Sequence, residues 1–304
     1  MSAYNVIQKL CFTALLLVIS FALYSQTDYH WWNKKHDYDG SKSWIEYLIL
    51  SPAYMGPNAL PIPEMYSGNI PAGHHIETGL EGHYSKGDQT ANLYLSYNFP
   101  LFSDRASMQV SYRPVEIYRT DTITRDLRSS RELEPEGYSF GDIYVTTCVQ
   151  LIRDHDRLPD LMISANIKTA SGTNLDGARH TDTPGYWFDA TLGKRINTMG
   201  NKIQYHQLYG KAGFYSYQTY TKNRYQNDAF LYGAGILTAF RKINIQHQLT
   251  GFAGYFNNGD RPLAYRFIIE NRTTGKTGYR LMYQQGLHDL NYSTVRCTIS
   301  FNLN

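Results

Sequence analysis

The sequence predicts an all-β protein, a transmembrane antiparallel up-and-down β-barrel of about twelve strands with a short irregular or helical N-terminal segment. Three observations predict it. Stretches of strict two-residue alternation recur from Ile76 onward. The links between those stretches alternate between short and longer. The 304 residues also include 27 tyrosines and 24 glycines, and tyrosine combines strand preference with a ring suited to a membrane–water boundary.

Hydrophobic content of 42% and charged content of 18% describe a chain that is neither disordered nor unusually charged. The net charge of +3 is spread along the chain without a basic stripe, which gives no case for a nucleic-acid partner. A mean hydropathy of −0.45 excludes a helical membrane protein but not a barrel, whose lumen and loops are polar.

At the start, Lys9 precedes an apolar run from Leu10 to Tyr24. The run is about fifteen residues, short of the roughly twenty a spanning helix needs, and matches a secretory signal peptide over residues 1–26. No A-x-A pattern marks the cleavage point, which we place near Ser25 or Gln26. Without the signal only Cys148 and Cys297 remain, too few for a disulfide framework, and they fall on opposite faces of their strands.

Residues 27–75 form a separate segment. Trp44, Tyr47 and Leu48 fall at helical spacing, with Ser41 or Ser43 available as a cap. Five of the eleven prolines then lie between Pro52 and Pro71, which excludes a long helix or a central strand. Two placements are open, the periplasmic mouth of the barrel or its lumen.

From residue 76 the barrel begins. Ile76, Leu80 and Tyr84 share one face of their stretch; Glu77, Glu81 and His83 share the other. Leu93, Leu95, Tyr97 and Phe99 oppose Asn92, Tyr94, Ser96 and Asn98. The stretch from Ser107 alternates until Pro114, where the register slips as at a bulge or strand end. Ile143, Val145 and Val149 oppose Tyr144, Thr146 and Cys148; Ile163 and Ile167 oppose Ser164, Asn166 and Lys168. Further strands begin near Tyr186, Ile203, Ala229, Ile243, Leu263, Tyr279 and Tyr292, and no convincing helix is expected after residue 75.

Short links at 100–105, 153–159, 195–202, 241–242 and 271–278 alternate with others that include long ones at 120–139, 170–185 and 219–228. Such alternation is what periplasmic turns and external loops of outer-membrane barrels show. A soluble β-sandwich shares the alternation, but strands of about nine to twelve residues with tyrosines near the ends of their apolar faces favour the barrel. The last strand sets Val295, Cys297, Ile299 and Phe301 against Arg296, Thr298 and Ser300. An apolar edge of that kind is an aggregation hazard unless the last strand pairs with the first in a closed wall. Its aromatic Phe301 resembles the C-terminal signature read by the barrel assembly machinery, an expected partner beside outer-membrane lipid.

The stretch from Ser139 to Gly177 carries a family resemblance. Gly141-Asp142 opens a strand, Pro159-Asp160 leads into the next, and Thr169-Ala170-Ser171-Gly172 enters a loop. Over roughly residues 138–192, about a fifth of the chain, this resembles a family of bacterial outer-membrane proteins associated with the meta-pathway of phenol degradation. The resemblance implies an outer-membrane barrel acting as a channel or passive transporter of small or hydrophobic solutes. The tyrosine-rich style with Gln26 near signal cleavage resembles Bacteroidetes-type outer-membrane proteins.

Only one stretch offers catalysis. His83-Tyr84-Ser85 followed by Gly87 resembles the His-x-Ser-x-Gly element of outer-membrane phospholipase and lipid A deacylase barrels. Alternation puts His83 and Ser85 on one face, with Asn92, Asn98 or Glu81 available to orient the imidazole. Against that hydrolase reading, the same face carries Glu77 and Glu81, and Ser85 to Asp88 reads equally as a tight loop. Asp154, His155 and Asp156 form a turn without fixed metal geometry, and Asp176, His180 and Asp182 do not match a calcium-loop spacing. No cofactor or metal is expected. Glu77, Glu81, Lys168, Asp189, Arg195, Arg266, Glu270 and Arg280 are expected to project into the lumen. There they would pair and fill it or line a small polar pore. A structural or adhesive barrel acting through its external loops is a third reading.

Overall fold

The structure is a computed structural model that describes residues 28–71, 73–198, 202–272 and 275–303. The expected signal peptide lies outside the described residues. The chain divides into residues 1–42 and 43–304. In the first unit a short helix α1 (His30–Lys35) places Trp32 beside the rings of His36 and Tyr38, with centroids 4.8 and 5.5 Å away.

The second unit is a closed antiparallel barrel of twelve strands. β1 (His74–Ser85) and β2 (Asp88–Pro100) form a hairpin. β3 (Ala106–Tyr112) and β4 (Glu116–Thr120) both pair with β2, so they are two halves of one wall strand. The break falls at Pro114, which has no N–H to give the ladder, as the slipped register had indicated. β5 (Glu136–Ser139) and β6 (Ile143–Ile152) repeat the pattern beside them, pairing with β4 and β3 respectively. The wall continues as a meander through β7 (Asp160–Lys168), β8 (Gly185–Asn197), β9 (Ile203–Gln218) and β10 (Gln226–Phe240). β11 (Ile243–Gly254), β12 (Leu263–Asn271), β13 (Thr277–His288) and β14 (Ser293–Leu303) complete it. β14 pairs with β1 from Tyr84 opposite Ser293 to His74 opposite Leu303, which closes the cylinder.

The two faces of this wall are inverted relative to a soluble protein. Leu80, Ile167, Leu208, Phe230 and Leu249 point outward and are exposed, Leu80 by 69%. Glu81, Asn166, Gln248 and Arg296 point inward and are buried. A polar interior with a continuous apolar outer face is the pattern of a barrel solvated by lipid.

Two local expectations are corrected. A helix does occur after residue 75: α2 (Thr122–Leu127), capped by Asp121, whose carboxylate accepts the Thr124 N–H at 2.7 Å. It closes on the β1–β2 turn, where Gly87 has φ +86° and a Cβ would meet the Thr124 hydroxyl at 2.1 Å. The helical spacing at Trp44 becomes a four-residue 3₁₀ turn, Trp44–Tyr47, with no side-chain cap from Ser43.

The hydrophobic core lies inside the barrel, toward the end carrying the longer loops. Leu48, Leu50, Met55, Leu60 and Ile62 of the N-terminal segment bury against Trp187, Tyr215, Tyr217 and Phe252 of the wall. Phe252 and Trp187 stand edge-on to Tyr215, with centroids 4.8 and 5.4 Å away.

Leu80 sits midway along β1, on the outward face. Leu80→Arg is therefore expected to destabilise the barrel by about 2–4 kcal/mol in lipid, measured by urea unfolding in vesicles. Unchanged stability would mean that this face does not meet hydrocarbon.

Candidate functional site

The candidate site is the lumen. Residues 50–71 run through it from the long-loop end to the short-turn end. At the first end Ser51 donates to the Asn258 carbonyl at 2.9 Å and Gly56 N–H to the Ala178 carbonyl at 2.8 Å. At the other, Asn98 donates to the Gly73 carbonyl at 2.9 Å.

Between these ends the wall holds the segment by its backbone. Arg266 donates to the carbonyls of Ile62 and Pro63 at 2.6 and 3.2 Å. Lys211 donates to that of Glu64 at 2.7 Å and Gln248 to that of Met65 at 3.3 Å. Gln207 reaches the Ser67 carbonyl at 2.6 Å and Gln150 the Gly68 carbonyl at 2.8 Å. A segment with prolines at 57, 61 and 63 cannot supply a full ladder of amides, so wall side chains satisfy its carbonyls instead. The approach is close. Gly68 has φ +98°, and a Cβ on Gly193 of β8 would lie 2.2 Å from the Ser67 oxygen.

Charges form an alternating chain around the segment. Glu77 lies 3.9 Å from Arg280, and Arg280 donates to Glu64 at 3.1 Å. Glu64 also pairs with Arg296, which pairs with Glu81 and lies over the Tyr94 ring at 4.4 Å. Glu81 accepts from Arg113 Nε at 2.7 Å. Each buried charge thus has an opposite neighbour, the condition under which an ion pair survives burial. Glu64 joins the two halves of the chain.

A second buried layer pins the loop between β7 and β8. Arg179 from that loop donates to Asp88 at 2.6 Å and to Glu116 at 2.9 Å, with its guanidinium 4.4 Å from the Tyr118 ring centroid. Arg128 donates to Asp88 and to the Tyr292 hydroxyl, both at 2.6 Å. Lys168 pairs with Asp142 at 2.8 Å and donates to Thr181 at 2.8 Å. His180 lies between Glu116 at 3.6 Å and Asp142 at 3.8 Å, distances of ion pairing rather than hydrogen bonding. Burial opposes its charged form, but the two carboxylates outweigh burial and raise its pKa above the usual histidine value.

Below the apolar core the lumen contains a cavity of about 610 Å³. It is lined by Glu81, Arg113, Lys211 and Arg266 among others, and it reaches the short-turn rim at His75, Gly278 and Asn302. Its described lining includes no residue of loops 169–184 or 255–262, and at that end it touches Leu290 of the β13–β14 loop.

The expected inward charges fall as follows. Glu77, Glu81, Arg266 and Arg280 stand in or beside the charge chain and the cavity. Glu270 joins the cavity and accepts from Asn244 and Gln246 at 3.0 and 3.1 Å. Asp189 accepts from Ser164 at 2.7 Å and lies 3.3 Å from Lys211. Lys168 belongs to the upper layer. Arg195 is exposed near the end of β8, its guanidinium 4.5 Å from the Tyr205 ring centroid.

The base–nucleophile bond required by the hydrolase reading is not formed. His83 Nδ1 is 2.8 Å from the Thr294 hydroxyl and Nε2 is 2.8 Å from Asn92 Oδ1, so neighbours occupy both ring nitrogens. Ser85 instead donates to the Asp88 carbonyl at 3.3 Å, the tight-loop arrangement. Asn92 does meet the imidazole, but its amide is shared with Glu81 and Asn58. His155 caps its own turn by accepting the Arg157 and Leu158 N–H groups, at 3.2 and 3.1 Å. Among the described residues no group of three His, Cys, Asp or Glu is placed to hold a metal.

Glu64, Arg113, Lys211, Arg296 and Arg179 were not singled out from sequence. Lys211 and Arg296 lie on alternating strands whose parity marks them as inward. Arg179 and Glu64 lie in segments without periodicity, where no such signal exists.

No family model and no curated relative matches the sequence. Solved structures do match in fold. An outer-membrane channel from Pseudomonas putida F1 superposes with a TM-score of 0.55 at 12% identity, over 80% of this chain and 100% of that one. The KdgM porin in complex with disordered oligogalacturonate gives 0.46 at 7% identity, over 75% of this chain and 99% of that one. The NanC porin gives 0.46 at 11%, over 74% and 100%. The chain has the fold of an outer-membrane barrel.

Two outcomes follow for the upper layer. Arg179→Met leaves Glu116 and Asp88 buried with fewer partners, a loss of about 3–5 kcal/mol. Limited proteolysis within 169–184 should then speed up on the order of a hundredfold or more. The raised pKa of His180 means that the docked loop binds its proton more tightly than the undocked loop does. That contribution is full below the ordinary value of about 6.5 and is lost as pH rises through the raised one. Protection of 169–184 against hydrogen exchange should therefore fall as pH rises above about 6.5. His180→Gln should flatten that profile.

Proposed function

We propose that the barrel is a channel in the outer membrane of a Gram-negative bacterium, reached after signal cleavage, and that this conformation is its closed state. The observation that carries this reading is the cavity of about 610 Å³, polar in its charged lining and extending to the short-turn rim. The opposite mouth is closed by chain segments that belong to no wall strand, held by side chains and by a few backbone bonds such as Gly56 to Ala178, so that they can detach without unfolding the wall. The apolar contacts of Leu50, Met55, Leu60 and Ile62 form the closure. Arginine, lysine, glutamate and glutamine line the cavity together with Ile62, Met65, Trp187 and Met282, and the charged members support small polar solutes over hydrophobic ones. Membership of the phenol-degradation family belongs to the same proposal, as do a Bacteroidetes-type origin and insertion by the barrel assembly machinery through β14. The hydrolase reading loses support from the occupied ring of His83.

Planar-bilayer recording tests the proposal. The full chain should show small or rare openings. Met55→Asp places a charge in the closure and should raise conductance several-fold. Absence of current, and of small-solute flux into vesicles, from both proteins would overturn the channel reading.

A further inference from the structure

The lumen treats residues 61–70 as a bound peptide. Four wall strands contribute donors that fall on main-chain oxygens: Gln150 from β6, Gln207 and Lys211 from β9, Gln248 from β11 and Arg266 from β12. Gln150 does more than donate. Its side-chain oxygen accepts the Ile70 N–H at 2.9 Å while its nitrogen donates to the Gly68 carbonyl at 2.8 Å, so one side-chain amide pairs with the segment as a neighbouring strand would. Residues 57–59 form a turn, whereas residues 61–67 run without one, and the prolines at 61 and 63 keep that stretch extended and reduce what ordering it costs. One side chain is held by full charges: the Glu64 carboxylate between Arg280 and Arg296.

A row of donors spaced for carbonyls recognises the backbone of an extended chain with little regard to its sequence, as in other modes of peptide recognition. The arginine pair adds a requirement for one carboxylate. A sugar lacks the row of carbonyls, and a small ion has no use for it.

We propose that the lumen is a receptor for an extended, proline-containing peptide carrying one acidic side chain, and that residues 61–70 are an internal copy of that ligand which a free peptide can replace. This goes beyond the channel reading and does not require conduction.

The test begins with the full chain carrying a protease recognition sequence between Pro71 and Gly73. The folded barrel is cut there and washed in urea at a concentration that leaves its strand content unchanged. A fluorescent synthetic peptide of residues 55–70 is then titrated and followed by anisotropy. Saturable binding to the cut barrel, absent from the uncut one, is expected. The peptide with Glu64→Gln should bind at least about tenfold more weakly, the loss expected of a charged hydrogen-bond partner. The peptide with Ser67→Ala should stay within about tenfold of the original, because Gln207 reads the Ser67 carbonyl. Failure of the free peptide to bind, whether the native segment has left or resists the wash, overturns the proposal. So does equal binding of the Glu64→Gln peptide. Peptide binding without conductance supports this inference and counts against the channel; conductance without peptide binding does the reverse.

Discussion

The pairing of β1 with β14 is the constraint on which the rest depends. Once His74 to Tyr84 are bonded to Ser293 to Leu303, the wall has no free edge, and its backbone groups are satisfied within the sheet. Outward side chains are then free to be apolar and inward ones polar, because neither has to cover backbone. The inversion seen at Leu80 and Glu81, adjacent residues with opposite surroundings, follows from closure and the two-residue period alone.

Closure creates a second demand. Twelve strands enclose a space wider than inward side chains fill in smaller barrels, and this chain fills part of it with its own residues 48–71. The filling uses two kinds of physics in sequence. Near the long loops, leucines, methionine and isoleucine pack against wall aromatics. Farther down, carbonyls and one carboxylate meet wall amides and guanidinium groups. The apolar half resists water, while the polar half leaves the cavity. The prolines that disqualify this stretch as a wall strand also suit it to lie against side chains instead of a partner strand.

The wall was legible in the sequence because alternation is a local signal. The strand beginning at Ile203 and the faces of Glu77, Glu81 and Lys168 could be read from parity, and the break at Pro114 from chemistry. Helix α2 was missed because six residues inside a loop give too little periodicity, although Asp121 followed by Thr124 is a cap signal. The course of residues 50–71 was not legible beyond a choice of two placements. Their carbonyls carry the binding, and a backbone carbonyl leaves no mark on residue identity. His83 shows the opposite limit: parity correctly brought it to the polar face, but Thr294, which takes one ring nitrogen, lies 211 residues away along the chain.

The charge inventory explains why the segment and wall belong together. In the upper layer Asp88, Glu116 and Asp142 face Arg128, Arg179 and Lys168, a balanced set before His180 takes a proton. In the lower lumen the wall sets Arg113, Lys211, Arg266, Arg280 and Arg296 against Glu77, Glu81, Asp189 and Glu270. Asp160 adds a fifth wall carboxylate at the short-turn end, where it accepts from Asn69, and Glu64 places a further one between Arg280 and Arg296. Arg266 takes only carbonyl and amide oxygens and the Thr250 hydroxyl as hydrogen-bond acceptors, so it has no carboxylate bonded directly to it. A buried guanidinium without a compensating anion costs several kcal/mol. Arg280 and Arg296 both face Glu64, so the lumen favours an occupant with a negative charge at this level.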